Sequence, residues 1–535
     1  MQVSQLSRTH IQDGLKSTAT LAWRDSIRQF ALVLDQLKAS SISDRSVFFR
    51  PQFSWERRFG KLWTGRLQAD REENSRRSLH SDSLLRSAFS FDQIQTSWQR
   101  KSGDNKLLNL EYKWRADKTP GVSSFQNFSQ AHEALVGFKK VSLRWGNYDL
   151  NLTGRLVQYA SKALEDSLGQ YQFLGSVDHQ IDFWKKSIRS KNTYLVSSGV
   201  EPKLEFLFEE KRPGEVDYIF VDFNADGIRQ QQEYVYAPDI DSAQFIKIQI
   251  FNSEYVQVYQ SEWNNFLRWD GAQLFQSHKN PMRRLQIENV MRFNSKVGDQ
   301  SNFGERIYPL QFLDKSSQTI AFTAFAQQQI FFNRSSPKYE YNYIQQYSGH
   351  KQLLVSGTEQ RQSWEQTFKV RYTLKKKWDL ALSTGLKREE HELASYPLQN
   401  YQIRLYRIEP SLNFRLSPEV RMQCSYLKKD AGEYKFSGER ANINQGAAEV
   451  QYAWKRRISL RANTKWISIS YSGSPGTAVE YILLEGFKAG NNFTWELQTD
   501  YRITKVVQLQ LSYSGRKSAD YEPTHTMRAA MRANF

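Results

Sequence analysis

"THTMRAAMRANF", residues 524–535, reads as a strand with one apolar face: Met527, Ala529, Met531, Ala533 and Phe535 alternate with Arg528, Ala530, Arg532 and Asn534. A period of two sends successive side chains to opposite faces of a sheet. The same alternation recurs upstream. Val507, Leu509, Leu511 and Tyr513 share one face, as do Phe493, Trp495, Leu497, Thr499 and Tyr501. Further back come Ala448–Val450–Tyr452–Trp454, Val420–Met422–Cys424–Tyr426, Ile408–Pro410–Leu412–Phe414–Leu416, Trp378–Leu380–Leu382–Leu386 and Phe368–Val370–Tyr372–Leu374. These strands run to about ten residues or more, where soluble domains use five or six.

The connections add a second regularity. Tight polar turns are predicted at Lys375–Lys377, Ser417–Glu419, Lys455–Arg457 and Arg502–Lys505, and long loops at 388–402, 428–445, 472–491 and 515–525. Short turns thus fall at one end of the sheet and long loops at the other. Upstream turn candidates are "RRFGK" 57–61, "KSGDN" 101–105, "WGNY" 145–148, "SIRSKN" 187–192, "KVGDQ" 296–300 and "RSSPK" 334–338. Two strands per turn give roughly 18 to 24 strands, within the range of outer-membrane barrels. Trp378, Phe414, Trp454 and Tyr501 stand beside short turns, where an aromatic girdle meets the membrane interface. The expected fold is all-β: a large antiparallel up-and-down transmembrane β-barrel with a small inserted β module. Barrel strands are assigned to 1–204 and 286–535 and the module to 205–285, where the rhythm breaks.

Composition agrees. Over 535 residues, Lys+Arg outnumber Asp+Glu 74 to 56, yet 14% of residues are aromatic, too many for a disordered chain. A mean hydropathy of −0.67 is what two-faced strands average to. Cys424 is the one cysteine, which excludes an internal disulfide. No apolar run reaches the length of a membrane helix. No secretory signal peptide is visible, and an amino-terminally incomplete chain is expected. The cations are dispersed over turns and alternate faces, so nucleic acid is not expected as a partner; Arg528 and Arg532 are placed on a polar, lumen-facing side.

The terminal aromatic strand resembles the carboxy-terminal signal by which the outer-membrane assembly machinery recognises its substrates. Residues 300–535 are similar to the barrel half of large outer-membrane proteins of the Bacteroidota type. "VDYIFVDFNADGIRQQQEY", residues 216–234, resembles a D-x-N-x-D-G-x5-E segment of a poorly characterised group of them. The resemblance implies the outer membrane of a Gram-negative bacterium. The partners expected there are lipid and lipopolysaccharide, the assembly machinery through the strand ending at Phe535, and envelope proteins.

That segment also matches the calcium-loop pattern, with Asp222, Asn224, Asp226, Gly227 and Glu233 in place. Strand-like "VDYIFVDF" leads into it and position eight is Arg229, so a helix-loop-helix sensor is not expected. The ligand set for Ca2+ is the side chains of Asp222, Asn224 and Asp226, the carbonyl of Ile228, and Glu233 in bidentate fashion. Its expected role is a structural brace, with an Asx-rich turn as the alternative. "SAQFIKIQIFNSEYVQVYQSEW" following it reads as a hairpin turning near Asn252–Glu254.

Catalytic constellations are sparse. "REEHE" at 388–392 groups Glu389, Glu390 and His391, but in a predicted loop where the charges are solvated. No nucleophile elbow or phosphate loop occurs. The functional expectation is therefore a barrel acting in transport, translocation or assembly at the cell envelope, not an enzyme. The alternatives are a surface barrel for adhesion or partner binding and, less favoured, a barrel-embedded hydrolase. A TonB-dependent transporter is disfavoured, since no globular plug precedes the strands.

Overall fold

The computed structural model describes residues 2–533 except 9–11, 42–43, 103–105, 144–145, 162–170, 212–217, 222–226, 228, 231–232, 237–242, 276, 278, 299–300, 302, 309, 311–318, 335, 355–356, 376, 395–398, 456, 476, 505 and 520–521. The first strands are β1 (Gln2–Arg8), β2 (Gln12–Arg24), β3 (Arg28–Ser41), β4 (Asp44–Phe59), β5 (Trp63–Ser78), β6 (Phe89–Ser102), β7 (Lys106–Pro120), β8 (Phe125–Leu143) and β9 (Gly146–Tyr159). Then come β10 (Tyr171–Phe183), β11 (Ile188–Glu210), β12 (Tyr218–Phe220), β13 (Tyr234–Tyr236), β14 (Phe245–Asp270), β15 (Leu285–Gly298), β16 (Thr319–Phe332), β17 (Tyr339–Leu354) and β18 (Gly357–Leu374). The last are β19 (Trp378–Leu393), β20 (Tyr401–Arg415), β21 (Val420–Glu433), β22 (Arg440–Trp454), β23 (Ile458–Ser472), β24 (Gly490–Arg502), β25 (Val507–Ser518) and β26 (Thr524–Ala533). Short helices are α1 (Gly271–Leu274), α2 (Phe303–Ile307) and α3 (Ala478–Leu484). No helix among the described residues is long and apolar enough to cross a membrane.

All the described strands belong to one sheet, antiparallel apart from a single bridge between β11 and β17. Each long strand pairs with the next, with β11 pairing β14 across the excursion that holds β12 and β13. This is the up-and-down meander of a large transmembrane β-barrel wall. Among the described residues the sheet has 26 strands, which reduce to 24 without the three-residue β12 and β13, the top of the expected range. Among the described residues no ladder joins β26 to β1.

Register keeps the two faces apart around the wall. One row runs Leu380, Leu412, Cys424, Ala448, Thr464, Trp495 across β19 to β24. The row beside it, on the opposite face, runs Asp379, Asn413, Gln423, Glu449, Asn463, Glu496. Leu110, Val136, Leu152, Leu382, Ile408 and Leu497 on the first face are exposed. An apolar surface this extensive is far beyond what a soluble monomer leaves in water. At the short-turn end Trp378 stacks on Phe414 with ring centroids 4.0 Å apart. On the polar face Arg407 pairs with Glu365 at 2.6 Å, Arg371 with Glu340 at 3.0 Å and Arg461 with Glu449 at 3.2 Å.

Several expectations are corrected. "REEHE" 388–392 lies within β19, because the strand continues past its apolar portion as a polar, ladder-bonded extension. The predicted loop at 428–445 shrinks in the same way, since β21 runs to Glu433 and β22 starts at Arg440. The turn placed at 187–192 sits one step earlier, where Trp184, Lys185 and Lys186 all take positive φ (45°, 58°, 67°) and β11 begins at Ile188. "KVGDQ" 296–300 opens a long connection at the far end from the short turns. Asn252–Glu254 is not a turn: β14 runs straight through it, and the register against β11 shifts between Pro202 and Leu204, so these three residues form a bulge.

The two faces predict opposite tolerance to charge. Leu382→Arg on the apolar face lowers the stability of the refolded protein in lipid by about 2–4 kcal/mol, and Ser383→Arg, one residue on and facing Glu409, by less than about 1 kcal/mol. Urea titration of the two variants in bilayers measures the contrast, and equal losses would contradict the facing.

Candidate functional site

The end of the wall opposite the short turns is covered by its own chain. Along β20 to β23 the apolar phase reverses near that mouth. In β20 it passes from the even positions Pro410, Ile408 and Tyr406 to the odd positions Leu405, Ile403 and Tyr401; in β23 it passes from Trp466 to Ile467 and Ile469. Apolar side chains thus appear on the inner face. Tyr401, Ile403, Ala431, Ala441, Ile443, Ile467 and Ile469 are buried there under Val479, Leu483 and Leu484 of α3.

Local chemistry fixes that helix. Thr477 caps its amino terminus, its Oγ1 accepting from the Glu480 N–H at 3.0 Å, and Glu485 ends it with φ of 55°. The buried Lys429 ammonium donates to the Glu485 carboxylate. The neighbouring turn hangs on Glu433. Its carboxylate accepts backbone N–H groups from Lys435 (2.9 Å), Phe436 (2.9 Å), Ser437 (2.7 Å) and Gly438 (3.1 Å). Burial alone would raise this carboxyl, but these donors together hold it down to about 2.

From the other side of the mouth, β11 and β14 rise above the rest of the sheet as a two-stranded arm, since β14 pairs with β15 only from Val258 onward. The arm bends inward. Leu204 makes a parallel bridge to Leu354 of β17, and Lys247 reaches Glu359 of β18 at 3.5 Å. Beyond the arm, β13 comes alongside α3. In ladder order β14 and β23 stand far apart, so this contact spans the opening.

Lys247 lands on a buried ionic cluster. Glu359 accepts from Arg361 at 2.8 Å and lies 3.4 Å from His391 Nε2. The His391 hydrogen bond, opposed by burial and aided by the charges of Lys247 and Arg361, holds the Glu359 carboxyl at about 2. His391 and Glu389 face inward, and Glu389 accepts from the Tyr401 hydroxyl at 3.3 Å. Glu390 lies on the opposite face, 3.7 Å from Lys435. The "REEHE" group is therefore divided between two faces and occupied in ion pairs.

Of the calcium-type ligands, Asp222, Asn224, Asp226 and Ile228 lie outside the described residues. Strands flank the loop on both sides, as β12 and β13. Gly227 has φ of +72°, the left-handed value that its place in the pattern requires. Glu233 is 1% exposed; its Oε2 accepts from the Gln230 N–H at 3.1 Å, and its Oε1 has no partner among the described residues. Around the loop Phe208 stacks on Tyr234 at 4.2 Å, and the Arg229 guanidinium lies 5.4 Å from the Phe245 ring. No group of three or more metal-binding side chains occurs among the described residues. Sequence reasoning missed the Lys247–Glu359–His391 cluster, since Lys247 comes from a strand more than a hundred residues before the other two.

No protein-family profile and no curated protein sequence matches the chain. Among solved structures it is similar to the closed form of the ferric-catecholate import receptor Fiu from E. coli K12, with 10% identity over 98% of this chain and 80% of that one, and a TM-score of 0.33. It is also similar to the FrpB iron transporter from Neisseria meningitidis (8%, 92% and 80%, 0.34) and to the copper transporter OprC (8%, 100% and 79%, 0.36). Likeness at this level says nothing of what the chain carries or binds.

The arm contact is a titratable latch. A carboxyl whose folded value is depressed stabilises above its ordinary value of 4.5, and that contribution is lost as pH falls toward about 2. Glu359→Gln is expected to lower amide protection at 245–248 at least tenfold at neutral pH, and the wild type to lose the same protection only between about pH 4.5 and 2. Hydrogen exchange with mass spectrometry reads both, and unchanged protection in the variant would remove the latch.

Proposed function

We propose that this chain is an outer-membrane β-barrel of a Gram-negative bacterium that acts in transport, translocation or assembly at the cell envelope. The observation that carries the reading is the continuous exposed apolar face set against an ion-paired polar face, a division that only a lipid-embedded wall around a hydrated interior requires. The inward side of Arg528 and Arg532, opposite Met527 and Met531, gives the interior cations that attract anions. Lipid and lipopolysaccharide are the surroundings of the apolar face. The assembly machinery is the partner of the last strand, whose terminal Phe535 lies outside the described residues. The D-x-N-x-D-G-x5-E loop supports placing the chain with the Bacteroidota-type barrels. No enzymatic role is proposed, since the grouped carboxylates and His391 are engaged in structural pairs.

The covered mouth favours a second reading, a surface barrel that binds an envelope or extracellular partner. Conductance in planar bilayers separates the two. Under the transport reading the wild type passes small currents, and Leu483→Asp with Leu484→Asp, which unseats α3, gives larger anion-preferring steps. Silence from both proteins, with β structure verified, would overturn the conduit and leave the surface role.

The excursion between β11 and β14 we propose to be braced by Ca2+, bound by Asp222, Asn224, Asp226, the Ile228 carbonyl and Glu233. The buried Glu233 carboxylate, whose Oε1 has no partner among the described residues, and the left-handed Gly227 support it. Chelation is expected to expose residues 211–244 to protease at least tenfold faster, and Asp226→Asn with Glu233→Gln to abolish the calcium effect. Cleavage that is slow and insensitive to calcium would leave only an Asx-rich turn.

A further inference from the structure

On β10 to β18 the apolar face carries side chains foreign to hydrocarbon. His179, Asn192 and Asn265 are cross-strand partners, and so are Asn289, Gln328, Gln345 and Gln366. All share the face that holds Trp269, Ile287, Ile330, Tyr343 and Phe368. They stand four to eight residues in from the short-turn ends of their strands. At about 3.3 Å per residue and a tilt of about 40°, that is roughly 10–20 Å into an apolar band about 25 Å tall. At this depth other strands present Leu110, Leu150, Leu382 and Val450.

Some of the hydrogen-bonding capacity is met locally. The Asn192 amide lies 2.7 Å from His179 Nε2 and donates to Ser190 Oγ at 2.9 Å, while its oxygen accepts from Trp263 Nε1 at 3.4 Å and from the Asn265 amide. Much is unmet: each primary amide has two donor hydrogens and two acceptor positions, and Asn289 Oδ1 is buried without a partner among the described residues. Lipid supplies no partner, and each unmet group costs several kcal/mol there. Directly toward the mouth, the same face is already covered by protein. The Arg306 guanidinium of α2 lies 4.0 Å from the Tyr259 ring, Tyr194 donates its hydroxyl to the Ile307 carbonyl, and Leu310 packs on the Phe293–Phe322 cluster.

We propose that this patch is the lateral interface of a homodimer, its occupant a second copy of the same chain. The belt itself selects the occupant. From Ile188 to Ser198, Tyr259 to Trp269, Leu285 to Val297, Phe322 to Phe332 and Tyr339 to Gly349, the residues on this face include no Lys, Arg, Asp or Glu. A neutral amide is donor and acceptor at once, so two identical belts facing across a two-fold axis complete each other, where a charged belt would repel its copy. The inference rests on the membrane reading of this face, and an environment-sensitive fluorophore on Leu382→Cys tests that reading separately by reporting lipid.

Single cysteines Asn289→Cys, Gln328→Cys and Gln345→Cys, in full-length protein carrying Cys424→Ala, are oxidised in intact outer membranes. The expected product is a species of twice the monomer mass from at least one of them and none from Leu382→Cys. Monomer alone from all three overturns the proposal, as does cross-linking to a protein of another mass. In detergent, Asn265→Leu with Asn289→Leu and Gln328→Leu is expected to keep heat-modifiable mobility while its dimer fraction by native mass spectrometry drops at least tenfold. A dimer fraction unchanged by these substitutions also overturns the proposal.

Discussion

The interstrand hydrogen bond is the constraint that everything else in this chain obeys. In hydrocarbon a backbone N–H or C=O has no solvent to turn to, and each long strand from β2 to β25 has a neighbour on both sides. That requirement sets strand lengths well above those of soluble sheets and forces a single unbroken meander. It also frees the side chains for other work: with the backbone satisfied by ladders, one face is left to meet lipid and the other to meet water and ions. The bulge opposite Lys203 and the arm above it show where the demand ends, since there β14 has lost β15 and keeps only β11.

Much of this was legible because alternation is a local property. The faces read from Phe368 to Ala533 are those the ladders bring into register, and the tight turns at 375–377, 417–419 and 455–457 fall between the strands predicted to flank them. Failures cluster where local pattern and global role diverge. Strand extensions such as Lys387–Leu393 are polar on both faces because they stand in water, and polarity without period reads as loop. Asn252–Glu254 carries turn chemistry but is spent on a bulge. The seat of α3 had a signal that could have been found, the switch of apolar phase at Leu405–Tyr406 and again at Trp466–Ile467. It is intelligible only as a report that something apolar lies inside.

The mouth combines two kinds of closure with different physical character. The helix is held chiefly by apolar burial and capping, with the Lys429–Glu485 pair at its end. The arm is held at an ionic cluster in which one carboxylate satisfies three cationic or imidazole partners. A structure closed by both has one part seated mainly on apolar surface and one part seated mainly on charge. The calcium-type loop stands on the charge-seated one, carried by the two strands that bend across the opening.

The reversal of apolar phase has a consequence for the order in which the molecule is completed. The surface that receives Leu483 and Leu484 is assembled from residues on β20, β21, β22 and β23, and no single strand supplies it. Until those four are zipped together the helix has nothing to sit on. The segment between β23 and β24 is therefore committed to a late step, and its apolar side chains wait in solvent while the wall beneath them is built, a natural point for a folding helper to act or for assembly to fail.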